Sequence, residues 1–157
     1  MGLHFGISAE KVATALARYN PQNNRSQLVR TPAGNDLILD AYNANPSSMA
    51  AALRSFAARP VAAGQTKLAI LGDMFELGEA SAAEHRQLGQ LLASLPLPQV
   101  LLIGPEMAGA ATAALHFQHF VTKTEAAEWL RQHPVRGQQV LVKGSRGMAL
   151  ETLVELL

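Results

Sequence analysis

Four short apolar runs, each closed by a glycine or a polar residue, alternate with stretches whose apolar residues recur at helical spacing. The runs are Asn35 to Asp40 (NDLILD), Thr66 to Leu71 (TKLAIL), Gln99 to Ile103 (QVLLI) and Gln139 to Val142 (QVLV). Near-continuous hydrophobicity over this length predicts strands buried on both faces. Between them, Pro46 to Ala58 follows Asn45 and opens Pro-Ser-Ser, a cap with a first-turn proline. Met49, Leu53, Phe56 and Ala57 give this helix its apolar face. Ser81 to Leu92 opens with a Ser-x-x-Glu spacing, Ser81 and Glu84, which predicts a capping box. Thr124 to Gln132 carries Trp129 and Leu130, and Arg146 to Leu156 reads as a last helix. Strand–helix alternation predicts right-handed crossovers and a mostly parallel sheet with helices on both faces.

The start of the chain departs from this rhythm. Ser26 to Arg30 and Asn35 to Asp40 flank Thr31-Pro32-Ala33-Gly34, which predicts an N-terminal antiparallel hairpin. Ser8 to Tyr19 reads as an amphipathic helix with Val12, Leu16 and Tyr19 on one side. A polar linker with Pro21 follows it. The chain therefore divides into residues 1–22, an appendage, and residues 23–157, one α/β domain of Rossmann-like, doubly wound type.

Composition narrows the function. With 157 residues and 48% hydrophobic content, the chain can bury a full core. Its formal net charge of +1 provides no field to draw in nucleic acid or an anionic membrane. Cysteine is absent, which excludes disulfides and thiolate metal sites. No apolar run is long enough to span a bilayer, and the N-terminus lacks a signal-peptide pattern, so a soluble cytoplasmic protein is expected.

In open α/β sheets ligands bind beyond the carboxyl ends of the strands. That rule selects four segments. In DAYNANPSS, Asp40 can accept from ribose hydroxyls, Tyr42 offers a flat face for a base, and Asn43 and Asn45 offer amides. The asparagines can equally make a turn and cap the next helix. In GDMFELG, Asp73 and Glu76 can hold an amine or a metal, or simply serve a turn and a helix dipole. In GPEM, Pro105 is expected to start a helix. In KGSRGM, Lys143, Ser145 and Arg146 are a candidate receptor for a carboxylate or phosphate, with a solvated turn as the alternative. There is no P-loop, no G-x-G-x-x-G after a strand and no G-x-S-x-G, and His116 and His119 lack partner ligands for zinc.

Three motifs, DAYNANPSSMAAAL (Asp40 to Leu53), LGDMFELGE (Leu71 to Glu79) and LVKGSRGMALE (Leu141 to Glu151), resemble signatures of the Mur ligases. Within them they resemble the branch that joins D-alanyl-D-alanine to UDP-N-acetylmuramoyl-tripeptide. The upstream NNRSQ resembles the hinge into the C-terminal domain of that branch, and Met1 to Tyr19 resembles the last helix of its central domain.

The resemblance implies an ATP-dependent ligase of peptidoglycan synthesis. Its central domain carries the P-loop and the Mg2+ ligands. Its C-terminal domain closes over ATP and positions the dipeptide. Carried onto this sequence, Arg25 matches the hinge arginine that reaches the nucleotide phosphates and Asp40 the aspartate on the ribose. Tyr42, Asn43 and Asn45 match the adenosine side. Lys143, Ser145 and Arg146 match the loop near the incoming dipeptide, and Asp73 and Glu76 belong to a motif of less defined role. Gly147 departs from the serine or alanine of many relatives. No catalytic residue and no metal ligand is expected in this stretch, which is expected to be inactive alone. The rival readings are another Mur-type or folylpolyglutamate ligase, a stand-alone ligand-binding module, and a purely structural domain.

Overall fold

The computed structural model describes residues 24–157. The helix expected at Ser8 to Tyr19, and the linker up to Asn23, lie outside the described residues. The strands are β1 (Gln27–Arg30), β2 (Asp36–Asp40), β3 (Lys67–Gly72), β4 (Gln99–Ile103), β5 (Phe117–Phe120) and β6 (Gln139–Lys143). Among the described residues they form one sheet in the order β1-β2-β6-β3-β4-β5. β1 pairs antiparallel with β2, from Gln27 opposite Leu39 to Arg30 opposite Asp36, as the hairpin signal predicts. All other neighbours pair in parallel.

The apolar runs explain the parallel part. All six residues of β3 are buried, and successive side chains alternate between two cores. On one face, helices α1 (Pro46–Ala58), α2 (Ser81–Ala93) and α3 (Ala108–Ala111) press Met49, Leu53, Phe56, Leu88 and Ala110 onto Ala69, Leu71 and Leu102. On the other, α4 (Lys123–Gln132) and the C-terminal turns press Leu130, Leu150 and Leu153 onto Leu68, Ile70, Val140 and Val142. Each fully buried leucine or isoleucine contributes roughly 1.5–3 kcal/mol. Gly89 lets α2 and α3 approach closely. A β-carbon there would sit 2.5 Å from the carbonyl oxygen of Ala110.

Local details differ from the sequence reading. The Ser81/Glu84 capping box does not form, because a 3-10 turn at Gly78–Ala80 runs straight into α2. Ser81 instead donates its hydroxyl to Glu106, at 2.6 Å. Capping boxes form instead at α1, between Asn45 and Ser48, and at α4, where Thr122 and Glu125 cap each other's backbone. Pro105 opens only a turn, and the helix behind it is the short α3. The last helix is replaced by two 3-10 segments, Arg146–Met148 and Leu150–Leu156. They break at Ala149, whose φ of 48° is left-handed and interrupts the helical backbone.

The strand order also opens a crevice. β2 leads into α1 on one face, whereas its neighbour β6 leads into the C-terminal turns on the other. Adjacent strands whose connections leave to opposite faces make a topological switch point, the place where α/β sheets bind ligands.

Candidate functional site

Asp40 and Lys143 are the last partners of the β2–β6 ladder, so their side chains emerge on the same face. The Lys143 ammonium donates to Asp40 Oδ2 at 2.7 Å and to the Asn43 carbonyl at 2.9 Å. Only 1% of Lys143 is exposed. An ammonium so deeply placed needs an ion partner and hydrogen bonds, and here it has both. The second Asp40 oxygen accepts from the Ser26 N–H at 3.0 Å. One carboxylate thus ties the 24–26 segment, β2 and β6 together. This corrects the expectation of an open cation at Lys143: it is buried, two of its three donors are engaged inside the fold, and it holds the Asp40–Asn43 loop.

The 24–26 segment folds back onto that loop. The Tyr42 N–H donates to the Asn24 carbonyl at 3.2 Å. Asn24 and Ser26 both adopt left-handed backbone, with φ of 59° and 49°, and Arg25 projects between them. Its guanidinium lies 3.9 Å from the Tyr42 ring centroid, and that of Arg146 lies 5.0 Å away. Cations over an aromatic face are attracted to it. The hydroxyl of Tyr42 is held below the usual tyrosine range, first by the neighbouring Arg25 guanidinium, then by that of Arg146. Among the described residues, neither guanidinium is in an ion pair.

The Arg25–Tyr42 stack walls two hollows. A shallow one of about 320 Å³ is lined by Arg25, Asp40, Tyr42, Asn43, Asn45, Ser48 and Lys143. A second of about 530 Å³ is lined by Asn24, Arg25, Ala41, Tyr42, Arg146 and Glu151. All five residues singled out for a nucleotide therefore meet at the first hollow. Asn45 is at the same time the N-cap of α1, accepting from the Ser48 N–H at 2.9 Å in a reciprocal box. Asn43 turns its amide oxygen back on the Ala44 N–H, at 2.8 Å.

The other loop residues divide differently. Asp73 is 1% exposed and accepts from the N–H groups of Met107, at 3.0 Å, and Glu106, at 3.4 Å. Burial raises its pKa, and the two backbone donors offset part of that rise. Gly104 makes room for it: a β-carbon there would run into the carboxylate. Asp73 therefore clasps β3 to the turn after β4 and lines neither hollow, against the expectation of a substrate ligand. Glu76 sits exposed at the loop tip with φ of 64° and also lines neither. Ser145 is buried. Its hydroxyl oxygen accepts from the Phe75 N–H at 2.8 Å, and its own N–H donates to the Asp73 carbonyl at 3.1 Å. Of the KGSRGM trio, Arg146 alone presents its charge to the surface.

Three contributors escaped the sequence reading. Glu151 lines the larger hollow with one carboxylate oxygen buried and, among the described residues, without a hydrogen-bond partner. His85 is fully buried and accepts from the Met74 N–H through Nε2 at 3.1 Å. Phe75 is 44% exposed between the loops. Charged, imidazole and aromatic side chains on a helix or a turn carry no sequence signal for the side they will face.

The fold and these hollows define an open α/β domain with a cationic, partly aromatic cleft at the switch point of its sheet. The chain belongs to the Mur ligase, glutamate ligase domain family, whose pattern matches residues 24–146. It is 32% identical over 160 residues to UDP-N-acetylmuramoyl-tripeptide–D-alanyl-D-alanine ligase of Bacillus subtilis, covering 98% of this chain and 35% of that protein. It is 30% identical to the ligase of the same name from Escherichia coli, covering 100% of this chain and 34% of the relative. A crystal structure of MurF from Acinetobacter baumannii superposes with a TM-score of 0.81 at 32% identity, over 98% of this chain and 34% of that one. MurF of Thermotoga maritima, solved in complex with ADP, shares the fold with a TM-score of 0.76 at 23% identity, over 99% of this chain and 34% of that one. The chain thus spans about a third of the length of the curated relatives it matches.

Proposed function

We propose that this chain is the C-terminal domain of an ATP-dependent ligase that joins D-alanyl-D-alanine to UDP-N-acetylmuramoyl-tripeptide in cytoplasmic peptidoglycan synthesis. Residues 1–22 are then the end of a preceding domain and 23–157 the closing domain. The observation that carries this reading is the meeting of Arg25, Asp40, Tyr42, Asn43 and Asn45 at one hollow, where the Arg25 guanidinium has no ion-pair partner among the described residues.

That donor set fits a nucleotide. Arg25 provides a guanidinium fork suited to phosphate oxygens. Asp40, held by Lys143 and Ser26, keeps lone pairs for a ribose hydroxyl. Tyr42 supplies a ring face, and Asn43 and Asn45 line the same wall. Bound ATP supplies the phosphoryl group that activates a substrate carboxylate. The contribution of this domain is to orient the nucleotide, deliver the amine and exclude water as it closes. In this reading Mg2+ is bound by the rest of the enzyme.

Two measurements test the proposal. The 157-residue chain should release no phosphate from ATP with tripeptide precursor and D-alanyl-D-alanine, whereas the full-length enzyme carrying it should. In that enzyme, Arg25→Ala should raise the KM for ATP about tenfold, the order expected for losing a charge-assisted phosphate contact, and leave the KM for dipeptide near its original value. Turnover by the chain alone, or unchanged ATP kinetics in the variant, refutes the proposal.

A further inference from the structure

We infer that a hollow beside the C-terminal end of α4, at the rim of the sheet opposite the cleft, is a second ligand site that takes a neutral, flat molecule bearing a carboxamide or lactam. It stands apart from the ligase reading above, because none of the residues that line it borders either hollow of the cleft.

The hollow holds about 370 Å³, within the range of small-molecule sites. It lies at the strand starts, beside Gln99 of β4, Gln118 of β5 and Gln138 just before β6, whereas Asp40 and Lys143 end their strands. Its floor is aliphatic, with Leu68 and Val135 both buried. One wall is a stack already made: the Trp129 and His133 rings lie 4.2 Å apart between centroids and 8° from parallel. His133 Nδ1 donates to the Trp129 carbonyl at 2.9 Å, which fixes the stack and leaves Nε2 as the acceptor of a neutral imidazole. A flat ring laid on the exposed His133 continues that stack.

The polar groups decide the class of ligand. No aspartate, glutamate, lysine or arginine lines the hollow, so a charged ligand would lose its water there without gaining a counter-ion. What the hollow offers is amides. Gln99 and Gln118 present theirs from exposed positions. Gln138 differs: its Oε1 is buried and, among the described residues, has no hydrogen-bond partner. An amide oxygen shut away from water without a donor is unfavourable. The torsion that carries it is soft, so it can turn towards an N–H placed in the hollow. A carboxamide or lactam holds an N–H and a C=O side by side, and can meet a glutamine amide with one bond in each direction.

The test uses the 157-residue chain, whose sole tryptophan, Trp129, lines the hollow and reports on it by fluorescence. The probes are benzamide, its anionic counterpart benzoate and the non-planar cyclohexanecarboxamide, at pH ~8, where free imidazole is neutral. Benzamide should change the Trp129 emission saturably, with a Kd on the order of a millimolar for so few atoms. Benzoate should bind at least about tenfold more weakly, and cyclohexanecarboxamide several-fold more weakly. Gln138→Leu should weaken benzamide about tenfold, the scale of one hydrogen bond. It should not lower the urea midpoint, because the lost oxygen has no partner among the described residues. His133→Ala, a change at an exposed position, should weaken benzamide several-fold and decides the matter if Gln138→Leu unfolds the chain. An emission that benzamide leaves unchanged, benzoate bound as tightly as benzamide, or folded variants that bind benzamide like wild type would each overturn the inference and leave the ligase reading intact.

Discussion

Replacing Lys143 by methionine separates a positioning lysine from a substrate-binding one. Methionine fills the aliphatic path of the lysine stem, so packing in the β6 region is largely kept. What is lost is the ammonium, with its bonds of 2.7 Å to Asp40 and 2.9 Å to the Asn43 carbonyl. Removing one partner of a buried ion pair costs about 3–5 kcal/mol. The Asp40 side chain is 19% exposed and keeps the Ser26 N–H, so water and that donor relieve part of the loss. The expected cost is therefore at the low end, about 3 kcal/mol, equivalent to a fall in Tm of roughly 6–12 °C. Urea unfolding of the 157-residue chain, followed by far-ultraviolet circular dichroism, measures this. The double variant Asp40→Asn/Lys143→Met should recover part of the loss, because no carboxylate is left without its cation. A Lys143→Met stability within about 0.5 kcal/mol of wild type, the usual range for a surface change, would show that the pair does not organise this loop. A double variant no more stable than the single one would show the same.

Other outcomes follow from neighbouring features. The raised pKa of Asp73 makes the folded state bind its proton more tightly than the unfolded chain does, so its contribution favours folding at acid pH and is lost as pH rises through the folded pKa. Wild type should therefore lose stability relative to Asp73→Asn from below pH ~4 upward, and urea unfolding across that range would refute this if the difference were flat or rose. Gly89→Ala, which inside an ordinary helix would stabilise by up to about 1 kcal/mol, should here destabilise by roughly 1–3 kcal/mol. Its β-carbon meets the backbone of α3, and denaturant titration reads the sign directly. In a Tyr19→Phe background, the phenolate absorbance of Tyr42 should titrate below the ordinary value of about 10. Arg25→Ala should move that midpoint upward, and an unmoved midpoint would show that Arg25 does not act on the ring.

Much of the fold is legible in the chain because burial on both faces demands continuous apolar runs. The runs in β3, β4 and β6 lie where hydrophobicity places them, and α1 keeps its Asn45 cap and first-turn Pro46. The hairpin follows from Thr31-Pro32-Ala33-Gly34. The reading failed where a local signal met a tertiary competitor. Ser81 spends its hydroxyl on Glu106, a residue from another loop, and the helix from Arg146 gives way at Ala149. The gathering of Asp40, Tyr42 and the KGSRGM loop at one rim was legible too, since all three lie at or after strand ends.

Sequence alone determined which residues would gather at one rim of the sheet, because strand ends are set by local hydrophobic pattern and turn chemistry. Only tertiary structure decided which of those residues keep a polar group at the surface. Lys143, Ser145 and Arg146 stand within one loop, yet the first is locked to Asp40, the second to Phe75, and the third is open. That partition depends on the placement of β6 between β2 and β3. This placement sets a lysine beside an aspartate 103 residues away, and no local pattern encodes such a pairing.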